Sequence, residues 1–165
     1  MKLFLLRHAK SDWSQGLADH ERPLNSRGKK AAQDLPKILS ALGIDPEIIY
    51  VSSAVRAQET VSFFSEDKRK KILIKDELYP GSVEDYTAVL SQTPVKTSSA
   101  MLVAHNPGLE EFVAKITSER LLLAMPTACL AVIDFPFNDW ARIAEGSHGV
   151  LKALLPIKLL QALPQ

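Results

Sequence analysis

Short apolar runs that stop at polar or charged residues recur along the chain. They occupy residues 3–6, 47–51, 72–75 and 100–104. Runs of four or five residues are too short for a buried helix and are typical of strands covered on both faces, as in parallel sheets. The pattern therefore predicts four central parallel strands.

Helical patterns follow the first two of these strands. Asn25 or Ser26 can cap a helix that presents one apolar stripe and ends at Gly43. Ser53 is predicted to cap the next helix, with Arg56 in its first turn. Strands that alternate with helices form βα units, in which the helices cover a parallel sheet.

The middle of the chain contains two further helix starts. Ser82 and Asp85 have the spacing of a capping box, which predicts one of them. The other is predicted at Asn106, which would cap a helix with Pro107 at its first position. The charged run at residues 66–71 is expected to form a solvated turn.

The C-terminal part predicts an antiparallel edge to the sheet. Two β-like runs at residues 129–135 and 140–144, joined through residues 136–139, suit a hairpin. The apolar tail at residues 150–163 is broken by Pro156 and has two lysines as its only charges, which favours packing against the sheet over lying on a membrane. We therefore expect an α/β fold with a mostly parallel sheet and an antiparallel edge.

Composition excludes several classes of protein. The 165 residues, 46% of them hydrophobic, suit one domain spanning residues 1–165. A single cysteine, Cys129, leaves no internal disulfide, and no apolar stretch is long enough for a signal-peptide core or a membrane span, so we expect a cytoplasmic protein without a membrane partner. The net charge of +1 gives no global attraction for nucleic acid, although residues 1–40 hold eight Lys/Arg against four Asp/Glu.

Charged and titratable residues follow the ends of the predicted parallel strands. Arg7 and His8 follow the first strand, Arg56 comes shortly after the second, Glu77 after the third and His105 directly after the fourth. Ligands of open α/β sheets bind just outside the carboxyl ends of the strands. We therefore expect these side chains to meet at one edge of the sheet.

This set of residues suits a phosphoryl group. Planar guanidinium groups bind phosphate oxygens bidentately and stay charged, and Arg22 would be the third arginine. Concentrated positive charge disfavours a divalent cation, and the histidines lack the close spacing of a zinc pair, so no metal or other cofactor is expected. A neutral imidazole can attack phosphorus and form a phosphohistidine. The residues alone leave open which histidine attacks and which one donates to the phosphoryl oxygens.

Four segments, in order, resemble the motifs of the histidine phosphatase superfamily, the phosphoglycerate mutase-like group, and specifically its small SixA-like phosphohistidine phosphatase branch. They are LFLLRHAKSDW, ERPLNSRG, VSSAVRAQET and VAHNPGLEEF. The resemblance implies a three-layer αβα sandwich without metal. It also implies roles for particular residues: His8 as the nucleophile, Arg7, Arg22 and Arg56 as phosphate ligands, and His105 as a further phosphate contact.

Two positions depart from the residues usual in this superfamily, and a third resembles the position of its catalytic acid. Ala9 stands where the wider superfamily usually has glycine, and an alanine would be strained there if φ were positive. Ser14 stands where asparagine is frequent, which affects an auxiliary phosphate contact. Glu77, in KDELYPG, resembles the position of the superfamily's catalytic acid, and a solvated carboxylate before a turn is the alternative interpretation.

Three functional hypotheses remain. The leading one is a phosphohistidine phosphatase acting on a phosphohistidine-bearing protein, such as a phosphotransfer domain. The second is a phosphatase or mutase for small phosphate esters, and the third is a phosphate-binding module without catalysis. Arg56 and His105 are 49 positions apart, and predicted helices and strands fill that interval, so no large cap domain is expected. An uncapped pocket favours a histidine presented on a protein surface.

Overall fold

The computed structural model describes residues 1–66, 71–117, 124–146 and 148–160. Six strands form one sheet in the order β3-β2-β4-β1-β5-β6. The first four in this order are parallel, while β5 and β6 are antiparallel to their neighbours. The strands are β1 (Lys2–Arg7), β2 (Ile48–Ser52), β3 (Lys71–Lys75), β4 (Ser99–Ala104), β5 (Cys129–Asp134) and β6 (Val150–Pro156).

Helices cover both faces of this sheet. They are α1 (Ser26–Ala41), α2 (Val55–Val61), α3 (Val83–Ser91), α4 (Gly108–Thr117) and the short α5 (Ile157–Leu160). One buried cluster joins the sheet to α3 and α4, and the other joins it to α1, α2 and α5. The predicted α/β sandwich with an antiparallel edge is confirmed, and no large cap domain lies within the described residues.

The central strand β1 is apolar from residue 3 to residue 6 because both of its faces are buried. Leu3 and Leu5 lie in the cluster with α3 and α4, whereas Phe4 and Leu6 lie in the cluster with α1 and α2. All four are at most 3% exposed. Burying each side chain contributes roughly 1.5–3 kcal/mol, so β1 anchors both layers and fixes where its carboxyl end lies.

Helix α1 begins as predicted and lies close to the segment that follows β1. The Asn25 side chain accepts a hydrogen bond from the Gly28 amide at 2.9 Å, and Gly43, with φ +67°, follows the end of the helix. A Cβ on Gly28 would lie 2.2 Å from the Lys10 carbonyl oxygen. Gly28 is therefore required by a close approach of two backbones. The predicted capping box of Ser82 and Asp85 is also confirmed, at the start of α3.

Two predicted helix starts are wrong in detail. Helix α2 begins at Val55, and its N-cap residue is Ala54, which has no side-chain group to cap the helix. Ser53, the predicted cap, lies one residue earlier, and its hydroxyl is paired with His20. Helix α4 begins at Gly108, one residue after Pro107. The Asn106 amide, predicted to cap this helix, donates to the Glu110 carboxylate and the Met125 carbonyl.

The predicted hairpin partner of β5 is wrong. Residues 140–144 are not a strand, because Trp140–Ile143 forms a 3-10 helix that the Asp139 side chain caps. Trp140 is fully buried and its Nε1 donates to the Thr97 carbonyl at 2.8 Å, so its apolar run serves the α3 layer. The partner of β5 is the tail strand β6, which means that the tail joins the sheet as its edge.

Parts of two sequence predictions lie outside the described residues. These are residues 67–70 of the charged run and residues 161–163 of the tail. Within the described part of the chain, no helix is both long and apolar enough to span a membrane.

Candidate active site

The two histidines of the predicted site meet at the carboxyl edge of the sheet. Arg7 and Ala104 are paired in register at the ends of β1 and β4, and His8 and His105 are the residues that follow them. Their ring centroids are 4.9 Å apart. Both are buried, at 7% and 4% exposed. Parallel register therefore brings together two residues that are far apart in sequence.

His8 is held as a neutral imidazole with one defined tautomer. Its Nδ1 lies 2.7 Å from the Ala9 carbonyl oxygen, which can only accept, so Nδ1 carries the proton. Nε2 is then left with its lone pair, which accepts a hydrogen bond from Arg56 Nε at 3.2 Å. Burial, together with the charges of Arg56 and Arg7, lowers the pKa of His8 to about 4, against the hydrogen bond to Ala9. An unprotonated Nε2 is the nucleophilic atom that attack on phosphorus needs.

Ala9 fits its position without strain. The Ala9 amide donates to the Thr60 hydroxyl at 2.9 Å, and that hydroxyl in turn donates to the Arg56 carbonyl within α2. The backbone of Ala9 is not in the positive-φ region, which among the described non-glycine residues is occupied by Ala128. Alanine in place of the superfamily's usual glycine therefore introduces no backbone conflict.

Asp19 joins two of the three predicted arginines. Arg22 donates to one carboxylate oxygen of Asp19, and Arg56 donates to the other at 2.9 Å. The remaining Arg22 Nη1 donates to the Ser11 hydroxyl at 3.0 Å, and Trp13 stacks on the guanidinium with its centroid 3.4 Å away. Both arginines are thus buried and oriented by fixed partners.

Tyr79 completes the contacts of Asp19. Its hydroxyl donates to the carboxylate of Asp19 at 2.7 Å. Burial by itself raises the pKa of Asp19, but hydrogen bonds from Tyr79 and Arg22 and the charge of Arg56 outweigh it and hold the pKa below its usual range. The carboxylate is therefore ionised throughout the neutral range.

An aromatic wall, formed by His20, Tyr79 and His105, borders the site. The Tyr79 ring lies edge-on to both histidines, 4.7 Å from His20 and 5.4 Å from His105. His20 Nε2 is 3.0 Å from the Ser53 hydroxyl. The Tyr79 ring thus packs nearly perpendicular to both histidine rings, and His105 in turn packs beside His8.

His105 has one ring nitrogen with a partner and one without. Its Nε2 lies 2.8 Å from the hydroxyl of Ser52, the last residue of β2, while its buried Nδ1 has no hydrogen-bond partner among the described residues. Burial, with the nearby His8 and Arg56, lowers the pKa of His105 to about 3. A buried nitrogen without a partner calls for an explanation, and a ligand bound between the two histidines would supply one.

Arg7 lies on the opposite flank, toward the loop before β5. Its Nη1 donates to the Met125 carbonyl at 2.7 Å, and its buried Nε has no partner among the described residues. Burial lowers the pKa of Arg7, which remains charged at any physiological pH. The Nε–H is therefore a buried donor without a partner among the described residues, of the kind that a bound anion would satisfy.

Two of the residues considered in the sequence lie outside these contacts. Glu77 is exposed on the 3-10 turn Asp76–Leu78 and makes no hydrogen bond or ion pair with the described residues, so its catalytic role stays a prediction. Ser14 is exposed and bonds to Asp12 through both its amide and its hydroxyl. Neither residue touches the two histidines or the arginines described above.

Three residues of the site were not predicted from the sequence: Asp19, Tyr79 and Ser52. Asp19 stands three residues before Arg22, a spacing that suits an ion pair, and this signal was present in the sequence. Tyr79 is 60 residues from Asp19, and its contact depends on tertiary structure. Within the described residues, no cluster of three or more His, Cys, Asp or Glu side chains is arranged to hold a metal ion.

The chain belongs to the histidine phosphatase superfamily (branch 1), whose family model matches residues 3–92. It is 30% identical over 151 residues to an uncharacterized chloroplastic protein of Arabidopsis thaliana, covering 84% of this chain and 68% of that protein. The residues that the family model matches include His8, Arg22 and Arg56.

Solved structures of SixA proteins share the fold. The SixA protein of Agrobacterium tumefaciens superposes with a TM-score of 0.78 at 28% identity, covering 93% of this chain and 96% of that one. The SixA protein of Nakamurella multipartita gives a TM-score of 0.82 at 23% identity, covering 93% and 94%. The predicted SixA-like relationship is confirmed.

The fold also occurs in a protein named for a different activity. A mycobacterial glucosyl-3-phosphoglycerate phosphatase superposes with a TM-score of 0.69 at 15% identity, covering 92% of this chain and 97% of that one. At this identity the likeness concerns the fold alone.

Proposed function

We propose that this protein hydrolyses phosphohistidine on a partner protein through a covalent phosphohistidine at His8. The observation that carries the proposal is the state of His8, whose Nδ1 proton is fixed by the Ala9 carbonyl while Nε2 presents its lone pair among buried arginines. The SixA-like structures support the phosphohistidine substrate.

The first step transfers the phosphoryl group to His8. Nε2 attacks phosphorus in line, the P–N bond of the substrate breaks, and the substrate imidazole leaves with the electron pair, neutral when its other nitrogen carries a proton. Arg7, Arg22 and Arg56 compensate charge on the equatorial oxygens, and His105 is a further phosphate contact. Arg56 Nε, which bonds to Nε2 in the free enzyme, is placed to donate to a phosphoryl oxygen once Nε2 is used.

The second step returns His8 to its starting state. Nδ1 keeps its proton, which it donates in the hydrogen bond to the Ala9 carbonyl. The phosphorylated ring is therefore an imidazolium, which leaves phosphorus readily. Water attacks phosphorus, the P–Nε2 bond breaks, and its electron pair returns to Nε2. The two protons of water remain on the released dihydrogen phosphate, so no metal is needed, and we expect activity to survive chelation by EDTA.

Glu77 belongs to the proposal as the acid for a leaving group that needs one. An alkoxide must be protonated as it leaves, whereas an imidazole needs less help. The exposed position of Glu77 agrees with a substrate that makes little demand on it. Hydrolysis of an alkyl phosphate is therefore the reaction in which we expect Glu77→Gln to show a loss.

The second candidate is a phosphatase for small phosphate esters. The shared fold of the mycobacterial sugar-phosphate phosphatase favours it. Against it, the described residues include no cap over the pocket, so a small ester gains little binding energy away from the phosphoryl group.

A substrate comparison tests the proposal. Purified protein is assayed with a phosphotransfer domain phosphorylated on histidine and with a panel of sugar and glycerate phosphates. We expect kcat/KM for the protein substrate to exceed that for each metabolite by at least about 10². The His8→Asn variant controls for spontaneous hydrolysis. A metabolite hydrolysed as efficiently as the phosphoprotein would replace the leading proposal with the second candidate.

A further inference from the structure

A groove of about 760 Å³ lies beside the segment that carries His8. Lys10, two residues after His8, forms part of its wall, together with the first turn of α1 and the loop before β5. In that loop the Ala128 amide donates to the carbonyls of Arg7 and His8, at 3.2 and 3.1 Å. The groove is thus tied through Lys10 and the hydrogen bonds of Ala128 to residues 7–10, the nucleophile segment.

The rim of this groove is cationic. Four basic residues line it, and its lining contains no carboxylate: Lys10, Arg27, Lys30 and Lys158. Lys30 forms an ion pair with Asp34 at 2.7 Å, whereas the other three form none with the described residues. All four are exposed. The groove therefore presents net positive charge to solvent beside the nucleophile segment.

Apolar side chains make up much of the rest of the lining. They are Ala31 of α1, Pro126, and Pro156 and Leu159 at the end of β6 and in α5. Leu159 is 64% exposed, so an apolar surface is open to solvent among the basic residues. Such a surface is complementary to a protein surface that presents an apolar side chain flanked by carboxylates.

The groove is preformed. Ala128 has a φ of +56°, held by its two hydrogen bonds to the nucleophile segment and by a third, in which the Ile157 amide donates to the Ala128 carbonyl at 3.0 Å. This last bond ties the start of α5 to the loop before β5. A fixed wall lowers the entropy that a partner must spend on binding.

We propose that the groove docks an acidic, apolar-tipped surface of the phosphohistidine-bearing protein and so brings its phosphohistidine to His8. This inference rests on the proposed function and adds the place and chemistry of recognition. The groove cations lie outside the contacts of the reacting group, so a small phosphate ester gains nothing from them. A protein substrate gains both a faster encounter and a slower departure.

Charge reversal at two exposed rim residues tests the docking site. The variant Arg27→Glu/Lys158→Glu is compared with Lys29→Glu/Lys152→Glu, which makes the same change in net charge at exposed lysines that do not line the groove. We expect the groove variant to lower kcat/KM for a histidine-phosphorylated phosphotransfer domain about 10- to 30-fold at low salt, and the difference to shrink at 0.5 M NaCl. Both variants should hydrolyse an aryl phosphate within twofold of wild type, which also shows that they fold.

A binding measurement separates failure of docking from failure of the proposed function. In the His8→Asn background, amide resonances of Ala31 and Leu159 should shift on adding the phosphotransfer domain, and the groove variant should abolish these shifts. Shifts without hydrolysis in wild type would keep the docking site and sink the proposed reaction. Two kinetic results would overturn the docking site: full hydrolysis of the phosphoprotein by the groove variant, or an equal loss in the control variant. The same holds if the main effect of the groove variant is to abolish a concentration-dependent self-association of this protein, because the groove would then bind a second copy of the chain.

Discussion

Two clusters of positive charge flank His8, and they hold their charges in opposite ways. In the pocket, Arg22 and Arg56 are buried and bonded to the carboxylate of Asp19. In the groove, Arg27 and Lys158 are exposed and have no ion-pair partner among the described residues. A buried guanidinium is held in one geometry in a medium that screens its charge little, whereas water and salt limit the reach of an exposed charge to about 8–10 Å.

This difference separates chemistry from recognition. A reacting phosphoryl group needs donors that are already in place, because reorienting them during the reaction raises the barrier. A protein partner needs attraction from a distance and tolerates mobile side chains. Changes in the pocket should therefore affect every substrate, and changes in the groove should affect protein substrates alone.

The largest effect is expected when the nucleophile is removed. His8→Asn should lower kcat for every substrate on the order of 10⁴-fold or more, because no covalent intermediate can form. The exposed His148→Asn is the matched control and should retain full activity. In wild type, phosphate trapped during turnover should be lost in acid and survive alkali. Label on a serine, or activity in His8→Asn, would show that the pocket works by another route.

The next largest effect concerns a buried arginine. Arg56→Gln removes the hydrogen bond to His8 and those to Asp19, and we expect kcat/KM to fall about 10³- to 10⁵-fold for aryl and protein substrates alike. Arg142→Gln is the control. This exposed arginine stacks on the ring of Phe137 at 4.7 Å, as Arg22 stacks on Trp13 in the site. A loss under tenfold at Arg56, or a loss confined to protein substrates, would place this arginine with the recognition surface.

A smaller effect is expected at Asp19, a positioning residue, and it should have opposite signs for kcat and for the binding of phosphate. Asp19→Asn should lower kcat about 10- to 10²-fold, because the two arginines lose the carboxylate that orients them. The same change removes a negative charge, so inorganic phosphate should inhibit a few-fold more tightly. Asp12→Asn, in the same loop, controls for loop structure. Loss of kcat together with weaker phosphate inhibition would indicate collapse of the pocket and not loss of orientation.

The smallest effect is expected from acid, and it concerns stability. His8 and His105 have folded-state pKa values of about 4 and about 3, below the ordinary 6.5 of an unfolded chain. Between pH 6.5 and 4 the unfolded chain binds more protons, so stability falls as pH drops through this window. At pH 5 each histidine should cost about 2 kcal/mol.

Thermal unfolding measures this cost. The Tm of His8→Asn minus that of wild type should become more positive from pH 7 to pH 5, because the variant no longer has to keep that ring neutral. An NMR titration of the histidine rings supplies an independent check. A pKa near 6.5 for His8 would mean that the pocket does not exclude the proton and that the nucleophile is not held ready.

The residues of the site that follow strand ends were easier to predict from the sequence than the partners of the arginines. The apolar run before Arg7 identified a strand, and parallel strands end at one edge, so His8 and His105 could be placed together without a structure. The partners of the arginines were harder to find. Tyr79 reaches Asp19 across 60 positions, and nothing in the local pattern of either segment encodes that contact.

The C-terminal topology was missed for a related reason. The run at residues 140–144 is short and apolar, and such a run suits a strand or a buried 3-10 turn equally well until its neighbours are known. The burial of Trp140 against the α3 layer decided between them. The groove could not have been predicted either, because its lining comes from four separate segments that meet only in the folded sheet.

Gly28 has a consequence for how such a protein can diversify. Its position inside α1 costs roughly 1 kcal/mol of helix propensity relative to alanine, yet the Lys10 carbonyl leaves no room for a methyl group. The helix that supplies Arg27 and Lys30 to the rim is thereby locked in place against the chain just after His8. On this rigid frame, substitution of exposed rim side chains would change the docking surface that we propose while the residues around His8 stay in place.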